Sequence, residues 1–306
     1  MLYGWFKQKS FRCGLRWFLL FILMLVGLNQ LTSMNLSWPR SGDSAFYLVG
    51  VFLGAFLAHG VQSAMTMEIV RWNGKAMLWK HALALNCLGG LWGLMMPLGS
   101  VGYKGLALKQ MWGISTKDYV AYYGIAFMAN LWMGLIFAIW PMSVMFGSSW
   151  AWGMIIVLLP LPLALLKAPT CLNRWGLLPQ SLLSSVEKLR CFLCFAGIQG
   201  FGLGIYVGIY AAALSWFDAP WSFAMLFAFV VIQSWLFLAP LVPGNLVVLE
   251  GAGVWCFQQQ GVAPEVALSV IALMRLSLLV ELLIMAPWAR FVLPSWNLLS
   301  QLENKN

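Results

Sequence analysis

Long apolar stretches alternate along this chain with short clusters of basic residues. Several windows contain no charged side chain over the length that a helix needs to cross about 30 Å of hydrocarbon. Among them are Ala45–Met67, His81–Tyr103, Tyr119–Leu166 and Cys191–Phe217. Hydrophobic residues make up 62% of the 306 residues and charged residues only 9%, a balance foreign to water-soluble folds. The pattern predicts an all-α polytopic integral membrane protein, with a single membrane domain over residues 1–306 and seven or eight transmembrane helices.

The net charge of +9 comes from basic residues that lie beside apolar runs. They form no patch that could follow a phosphate backbone, so nucleic acid is not an expected partner. Basic clusters flank the first run, Trp17–Leu28, on its N-terminal side and the second run on its C-terminal side: Lys7, Lys9, Arg12 and Arg16, then Arg71, Lys75 and Lys80. The positive-inside rule therefore predicts a cytoplasmic N-terminus. No small-x-small cleavage site follows the first run, so we expect an uncleaved first helix. The expected location is the inner membrane of a prokaryote.

Twice a Pro/Gly cluster interrupts an apolar stretch, and the two copies share their spacing. The predicted loop-forming residues are Pro97, Gly99 and Gly102 in the first copy and Pro243, Gly244 and Gly251 in the second. Each proline is followed at the same interval by a charged residue and a glycine, and further on by a polar residue in an apolar run: Lys104-Gly105 and Asn130, then Glu250-Gly251 and Arg275. These spacings predict an internal repeat, with halves of approximately 45–166 and 191–293.

The first broken segment conflicts with the charge rule if it crosses the membrane. A full crossing would place Lys104, Lys109 and Lys117 outside the cell, whereas a re-entrant hairpin that breaks at Gly99–Gly102 keeps all three in the cytoplasm. Irregular backbone at membrane depth is tolerated only where it faces protein or a wet cavity. We therefore expect both broken segments to be re-entrant and to line a polar space.

Charged residues inside apolar runs are the candidate functional residues, because a bare charge in hydrocarbon is costly. Arg275 and Glu281 lie about 120° apart on one helix, so we expect Arg275 to pair instead with Glu250. This pair is either a fixed ion pair that stabilises packing or a gate that opens when lipid head groups exchange with it. Lys104 is either a lysine that extends to the cytoplasmic interface or a ligand for phosphate.

Other chemistry is sparse. His59 and His81 are the two histidines, no cluster has metal-ligand spacing, and His59 is expected to be a hydrogen-bonded helix residue. Cys191 and Cys194 match a redox dithiol by spacing but lack its structural setting, so packing is favoured. No phosphate-binding loop is present. We expect no metal, no cofactor and no enzymatic activity.

Several short motifs resemble those of one known family. They are Arg71-Trp72, the run Pro97–Lys109, Trp112-Gly-Ile-Ser115, Pro243-Gly244 with Glu250-Gly251, Gly261-Val262, Ala267 and Arg275. Together they resemble the transmembrane region of lysylphosphatidylglycerol synthases, the flippase-like domain family. The resemblance implies a membrane domain that moves aminoacylated phosphatidylglycerol or a related lipid between leaflets. The soluble synthase domain has no counterpart here, so aminoacyl transfer is not expected.

The chain also departs from the family pattern. Asn245-Leu246-Val247 stands where further glycines are common, and Lys104 stands where arginine is common, which removes a bidentate contact to phosphate. Head-group preference is expected to differ accordingly.

The sequence thus favours a lipid translocase with Lys104, Glu250, Arg275, Glu281 and Asn130 as substrate-binding or gating residues. The expected partners are membrane lipids, envelope-biosynthesis enzymes and a second copy of the chain. One alternative is a glycosyltransferase that uses polyprenyl-phosphate sugars, although Asp43 is the one acid in the first outer loop. The other alternative is a non-catalytic scaffold in envelope synthesis.

Overall fold

The computed structural model describes residues 44–95, 99–147, 185–236 and 248–293, together with residues 149, 152, 153, 155 and 156. Its described part contains eight α-helices, in agreement with the predicted all-α class. In chain order they are α1 (Ser44–Trp72), α2 (Trp79–Met95), α3 (Gly99–Trp112), α4 (Thr116–Phe146), α5 (Ser185–Trp216), α6 (Phe223–Leu236), α7 (Val248–Gln258) and α8 (Pro264–Val292).

Four of these helices, α1, α4, α5 and α8, are long and apolar enough to cross a membrane. Helix α6 is apolar but shorter. Large apolar side chains such as Phe46 and Phe291 are 78% and 82% exposed, as expected of a surface that contacts lipid tails. The prediction of an integral membrane protein is confirmed, with four candidate spans in the part of the chain that the structure describes. The predicted first helix, Trp17–Leu28, lies outside that part.

Helices α2 and α3 pack against each other as an antiparallel pair, which we call the first hairpin. Near the connection, a side chain at Gly93 would lie 3.2 Å from the Cβ atom of Ser100. At the open end, the rings of His81 and Trp112 lie 6.1 Å apart. The beginning of α2 and the end of α3 therefore lie at the same end of the bundle.

Helices α6 and α7 form a second antiparallel pair, the second hairpin. The rings of Phe229 and Phe257 lie 4.8 Å apart within it. At its open end, the Ser222 hydroxyl donates a hydrogen bond of 3.2 Å to Oε1 of Gln260. Helix α8 then runs back along α7, because Gly253 packs directly against Ile271.

The long helices α1 and α5 pack closely and run in opposite directions. Gly50 approaches Ala212 at one end of the contact, and the side-chain amide of Gln199 contacts the sulfur of Met65 at 3.1 Å toward the other. Between these points Gly54 packs directly on Ile209, where a larger residue would collide. Small residues at helix contacts let backbones approach, which is the usual basis of helix association in membranes.

Two buried apolar clusters surround the two hairpins. The first cluster combines α2, α3 and α4 with parts of α1 and α5 and with the C-terminal part of α8, including Leu282 and Ala289. The second combines α5, α6 and α7 with part of α1 and with the N-terminal part of α8, including Val270 and Ile271. Helix α8 therefore contributes to both clusters.

The predicted positions of the breaks need correction. Gly99 and Gly102 do not form a loop, because α3 begins at Gly99 and includes Gly102. Gly251 is likewise helical, within α7. Both Gly102 and Gly251 face open space. The other predicted loop residues, Pro97, Pro243 and Gly244, lie outside the described residues.

Candidate functional site

Glu250 and Arg275 form the ion pair that the sequence predicts. Glu250 lies in the first turn of α7 and Arg275 lies midway along α8. The Nε atom of Arg275 is 2.7 Å from Oε1 of Glu250, and each side chain is 26% exposed. The second carboxylate oxygen, Oε2 of Glu250, has no hydrogen-bond partner within the described residues. The pairing prediction is confirmed, and one carboxylate oxygen is left over for another donor.

Two side chains that sequence reasoning missed lie beside this pair. The Tyr210 ring on α5 is buried and its hydroxyl interacts electrostatically with both Arg275 and Glu250. The side chain of Gln233 on α6 is buried and hydrogen-bonds to Tyr210. The sequence contained one signal for this contact, the amide side chain of Gln233 in a largely apolar helix, because a buried amide needs a hydrogen-bond partner. The ion pair therefore lies where four helices meet.

Lys104 lies on the inner side of the first hairpin. Its side chain follows the surface of α2 at Gly89, where an added Cβ atom would be 2.9 Å from Cε and 3.2 Å from Cγ of Lys104. The missing side chain at Gly89 thus provides the space that the lysine occupies. In sequence, Lys104 is nearer the connection to α2 than to the open end of the hairpin.

Glu281 pairs with His59 rather than with Arg275. Nδ1 of His59 on α1 is 3.6 Å from Oε1 of Glu281 on α8, and the two side chains are only 11% and 7% exposed. Lys104 interacts electrostatically with His59, and Glu281 with Tyr206. We call His59, Glu281 and Lys104 the central cluster. The sequence predicted Glu281 and Lys104 as site residues but gave His59 only a structural role.

The central cluster and the Glu250–Arg275 pair are linked by two tyrosines of α5. Tyr206, which lies near Glu281, also lies near Tyr210, which faces the ion pair. These tyrosines are one helical turn apart and share a face of α5. Polar and charged groups thus run from the first hairpin to the second through the centre of the bundle.

Asn130 is not brought to either group. It lies half-buried on α4, and its assignment as a binding residue stays a prediction. A different asparagine, Asn86, is buried between α1 and α2 and donates hydrogen bonds to the carbonyl of Gln62 and the hydroxyls of Ser63 and Thr66. This network ties the first hairpin to α1, and sequence reasoning missed it.

The described residues contain no group of three or more His, Cys, Asp or Glu side chains that could hold a metal ion. Cys191 and Cys194 are free thiols on α5. No protein-family model matches this chain, and no curated protein or solved structure matches it. The resemblance to the flippase-like family remains a hypothesis based on the motifs quoted above.

Proposed function

We propose that this protein moves the head group of a phospholipid, of the aminoacyl-phosphatidylglycerol kind, or of a glycolipid between the leaflets of a prokaryotic inner membrane. The observation that carries this proposal is the line of charged and polar side chains from Lys104 to the Glu250–Arg275 pair, within a bundle whose outer surface is apolar. Ionisable groups in membrane helices are costly and usually mark the route of a polar substrate.

An inverted repeat is the architecture that we propose for this route, with α1–α4 as one unit and α5–α8 as the other. Each unit has a long helix, two short helices and a long helix. The first helices of the units, α1 and α5, are antiparallel. Helix α2 of the first unit packs on α8, and α6 of the second packs on α4. Inverted repeats place transporter substrates at the interface between the units.

Both hairpins are proposed to be re-entrant. The described parts of α3 and α7, with 14 and 11 residues, each pack antiparallel to the preceding helix, as a segment that enters and leaves the membrane on one side does. Basic residues gather at the open end of the first hairpin: Arg71, Lys75, Lys80, Lys109 and Lys117. Acidic Asp218 and Glu265 flank the second. The positive-inside rule then places the first open end in the cytoplasm and the second outside.

In this arrangement the charged groups replace the water that a head group loses. Lys104 supplies a full positive charge to a lipid phosphate in the first hairpin. In the second hairpin, an entering head group separates the ion pair, with its phosphate on Arg275 and its amine on Glu250. The unpartnered Oε2 of Glu250 is already available to accept from that amine. With one binding position in each hairpin, the head group crosses a shorter distance without a charged partner.

Purified protein in vesicles tests the proposal directly. We expect it to accelerate the movement of fluorescent phosphatidylglycerol and lysyl-phosphatidylglycerol between leaflets, measured by dithionite bleaching of the outer leaflet. The controls are protein-free vesicles and vesicles with an unrelated polytopic helical protein at the same protein-to-lipid ratio. Rates equal to those of the controls for both lipids would favour the scaffold alternative and contradict translocation.

Topology is tested by single cysteines at the two open ends, in a variant that lacks the native cysteines. Gln110→Cys lies in the last turn of α3 and Gln259→Cys directly follows α7, and both positions are exposed. We expect a membrane-impermeant maleimide to label Gln259→Cys in intact cells and Gln110→Cys only after the membrane is opened. Labelling of both positions from the same side would refute the inverted arrangement.

A further inference from the structure

The buried pair of His59 and Glu281 has an unusual deficit of partners. Besides the approach of Oε1 to Nδ1 of His59 at 3.6 Å, neither oxygen of Glu281 has a hydrogen-bond partner within the described residues. The His59 ring also contacts the backbone of Asn86. Glu281 is only 8% exposed. A carboxylate buried without hydrogen bonds in a membrane helix is expensive, whereas a protonated carboxyl or a shared proton is much less so.

The groups that face this pair come from three further helices. Lys104 lies near His59 from α3, whereas Cys87 from α2 and Tyr206 from α5 lie near Glu281. The Cys87 thiol already donates to the backbone carbonyl of Leu282, at 3.7 Å. Lys104 is the one cation among these facing groups, so the charge of the central cluster depends on Lys104 and on the protons held by His59 and Glu281.

A single proton changes the net charge of the central cluster and thereby determines whether the cluster favours an anion. When the pair holds no extra proton, the charges of Glu281 and of Lys104, which lies near His59, sum to zero, and an anion gains little by entering. When the pair takes up one proton, on Oε1 of Glu281 or on Nδ1 of His59, the cluster carries one net positive charge within the membrane. That charge is costly unless an anion neutralises it. Proton uptake and anion binding therefore favour each other.

We propose that the His59–Glu281 pair is a proton-binding site that couples proton movement to the movement of lipids with a net negative head group. This inference rests on the proposed function and restricts the coupling to protons to those of its substrates that are anionic. One lipid anion and one proton enter the central cluster together and leave it together, so that no net charge crosses the membrane. The linkage is reciprocal: lipid binding promotes protonation by the same factor by which protonation promotes lipid binding.

A metal ion fits this position less well than a proton. Metal sites need several ligands, and the described residues contain no group of three His, Cys, Asp or Glu side chains that could hold a metal ion. The pair offers one imidazole and one carboxyl group, which are the usual side chains for proton transfer in membrane proteins.

Vesicles with a pH gradient and a membrane potential held at zero by potassium and valinomycin test the coupling. For one-to-one movement, each unit of pH difference supports an enrichment of about tenfold of phosphatidylglycerol in the leaflet on the alkaline side. Lysyl-phosphatidylglycerol, which has a net positive charge, is expected to show no such enrichment.

A binding measurement tests the same coupling without vesicles. Adding short-chain phosphatidylglycerol to the protein in weakly buffered detergent solution is expected to cause proton uptake.

Glu281→Gln is the decisive variant, because it keeps the size of the side chain and removes the titratable carboxyl group. We expect it to lose both the enrichment and the proton uptake. His59→Gln serves as a second variant if Glu281→Gln does not fold. The matched control is Glu265→Gln, which alters an exposed glutamate on the same helix and is expected to behave as the wild type.

The outcomes separate the two proposals. A wild-type protein that moves phosphatidylglycerol without any gradient-driven enrichment refutes the proton site and leaves translocation standing. Absence of lipid movement under every condition refutes translocation, and the coupling falls with it. Enrichment driven by a sodium gradient instead, or unchanged enrichment in both Glu281→Gln and His59→Gln, also refutes the assignment to this pair.

Discussion

Arg275→Gln is expected to destabilise the protein by about 3 kcal/mol, because the negative charge of Glu250 would remain among apolar groups without its partner. The Nε atom of Arg275 lies 2.7 Å from Glu250, so truncation removes the closest counter-charge of that carboxylate. Unfolding in mixed detergent and SDS micelles, followed by tryptophan fluorescence, measures the effect. Lipid movement in vesicles is expected to fall at least tenfold in the same variant.

The double variant Glu250→Gln with Arg275→Gln separates stability from function. Two amides can hydrogen-bond to each other without any buried charge, so we expect most of the lost stability to return. Lipid movement is expected to stay low, because neither phosphate nor amine finds a charged partner. Wild-type transport in the double variant would mean that the ion pair stabilises packing only.

Lys104→Gln is expected to reduce movement of anionic lipids at least tenfold while leaving the fold intact. The substitution removes the positive charge of the first hairpin but keeps a side chain of similar length against Gly89. Lys104→Arg retains the charge and is expected to keep substantial activity. The measurement is the initial bleaching rate with phosphatidylglycerol, compared at equal amounts of correctly inserted protein.

Lys109→Gln is the matched control for the lysine of the central cluster. Lys109 lies on the same helix but is exposed at the open end of the hairpin, so its replacement is expected to leave transport unchanged. Equal losses in Lys104→Gln and Lys109→Gln would indicate a general effect of surface charge. Full activity in Lys104→Gln would remove this residue from the lipid route.

The sequence was sufficient to predict those features of the fold and of the candidate site that depend on local composition. Charge-free windows predicted the long helices α1, α4 and α5, and the cost of isolated charges in hydrocarbon predicted the Glu250–Arg275 pair. Those two residues lie on consecutive helices, so proximity along the chain guided the pairing. The positions of Gly99, Gly102 and Gly251 were misjudged, because glycine within a membrane helix is compatible with both a break and a continuous helix.

Local sequence patterns could not predict the His59–Glu281 pair. More than two hundred residues separate its members, and nothing in the periodicity of α1 or α8 says which faces meet. Its position depends on the packing of Gly90 against Leu282 and His59, a contact between three helices. Buried networks such as that of Asn86 have the same property, since a single amide in an apolar run has many conceivable partners.

Helix α8 completes both apolar clusters although it is the last described helix to be synthesised. During biosynthesis, the earlier helices must wait in the bilayer with their inner faces covered only by lipid or by the insertion machinery. A chain interrupted before residue 264 would leave Glu250 and His59 without Arg275 and Glu281. Quality-control proteases that recognise polar groups exposed to lipid would thereby distinguish unfinished chains from finished ones.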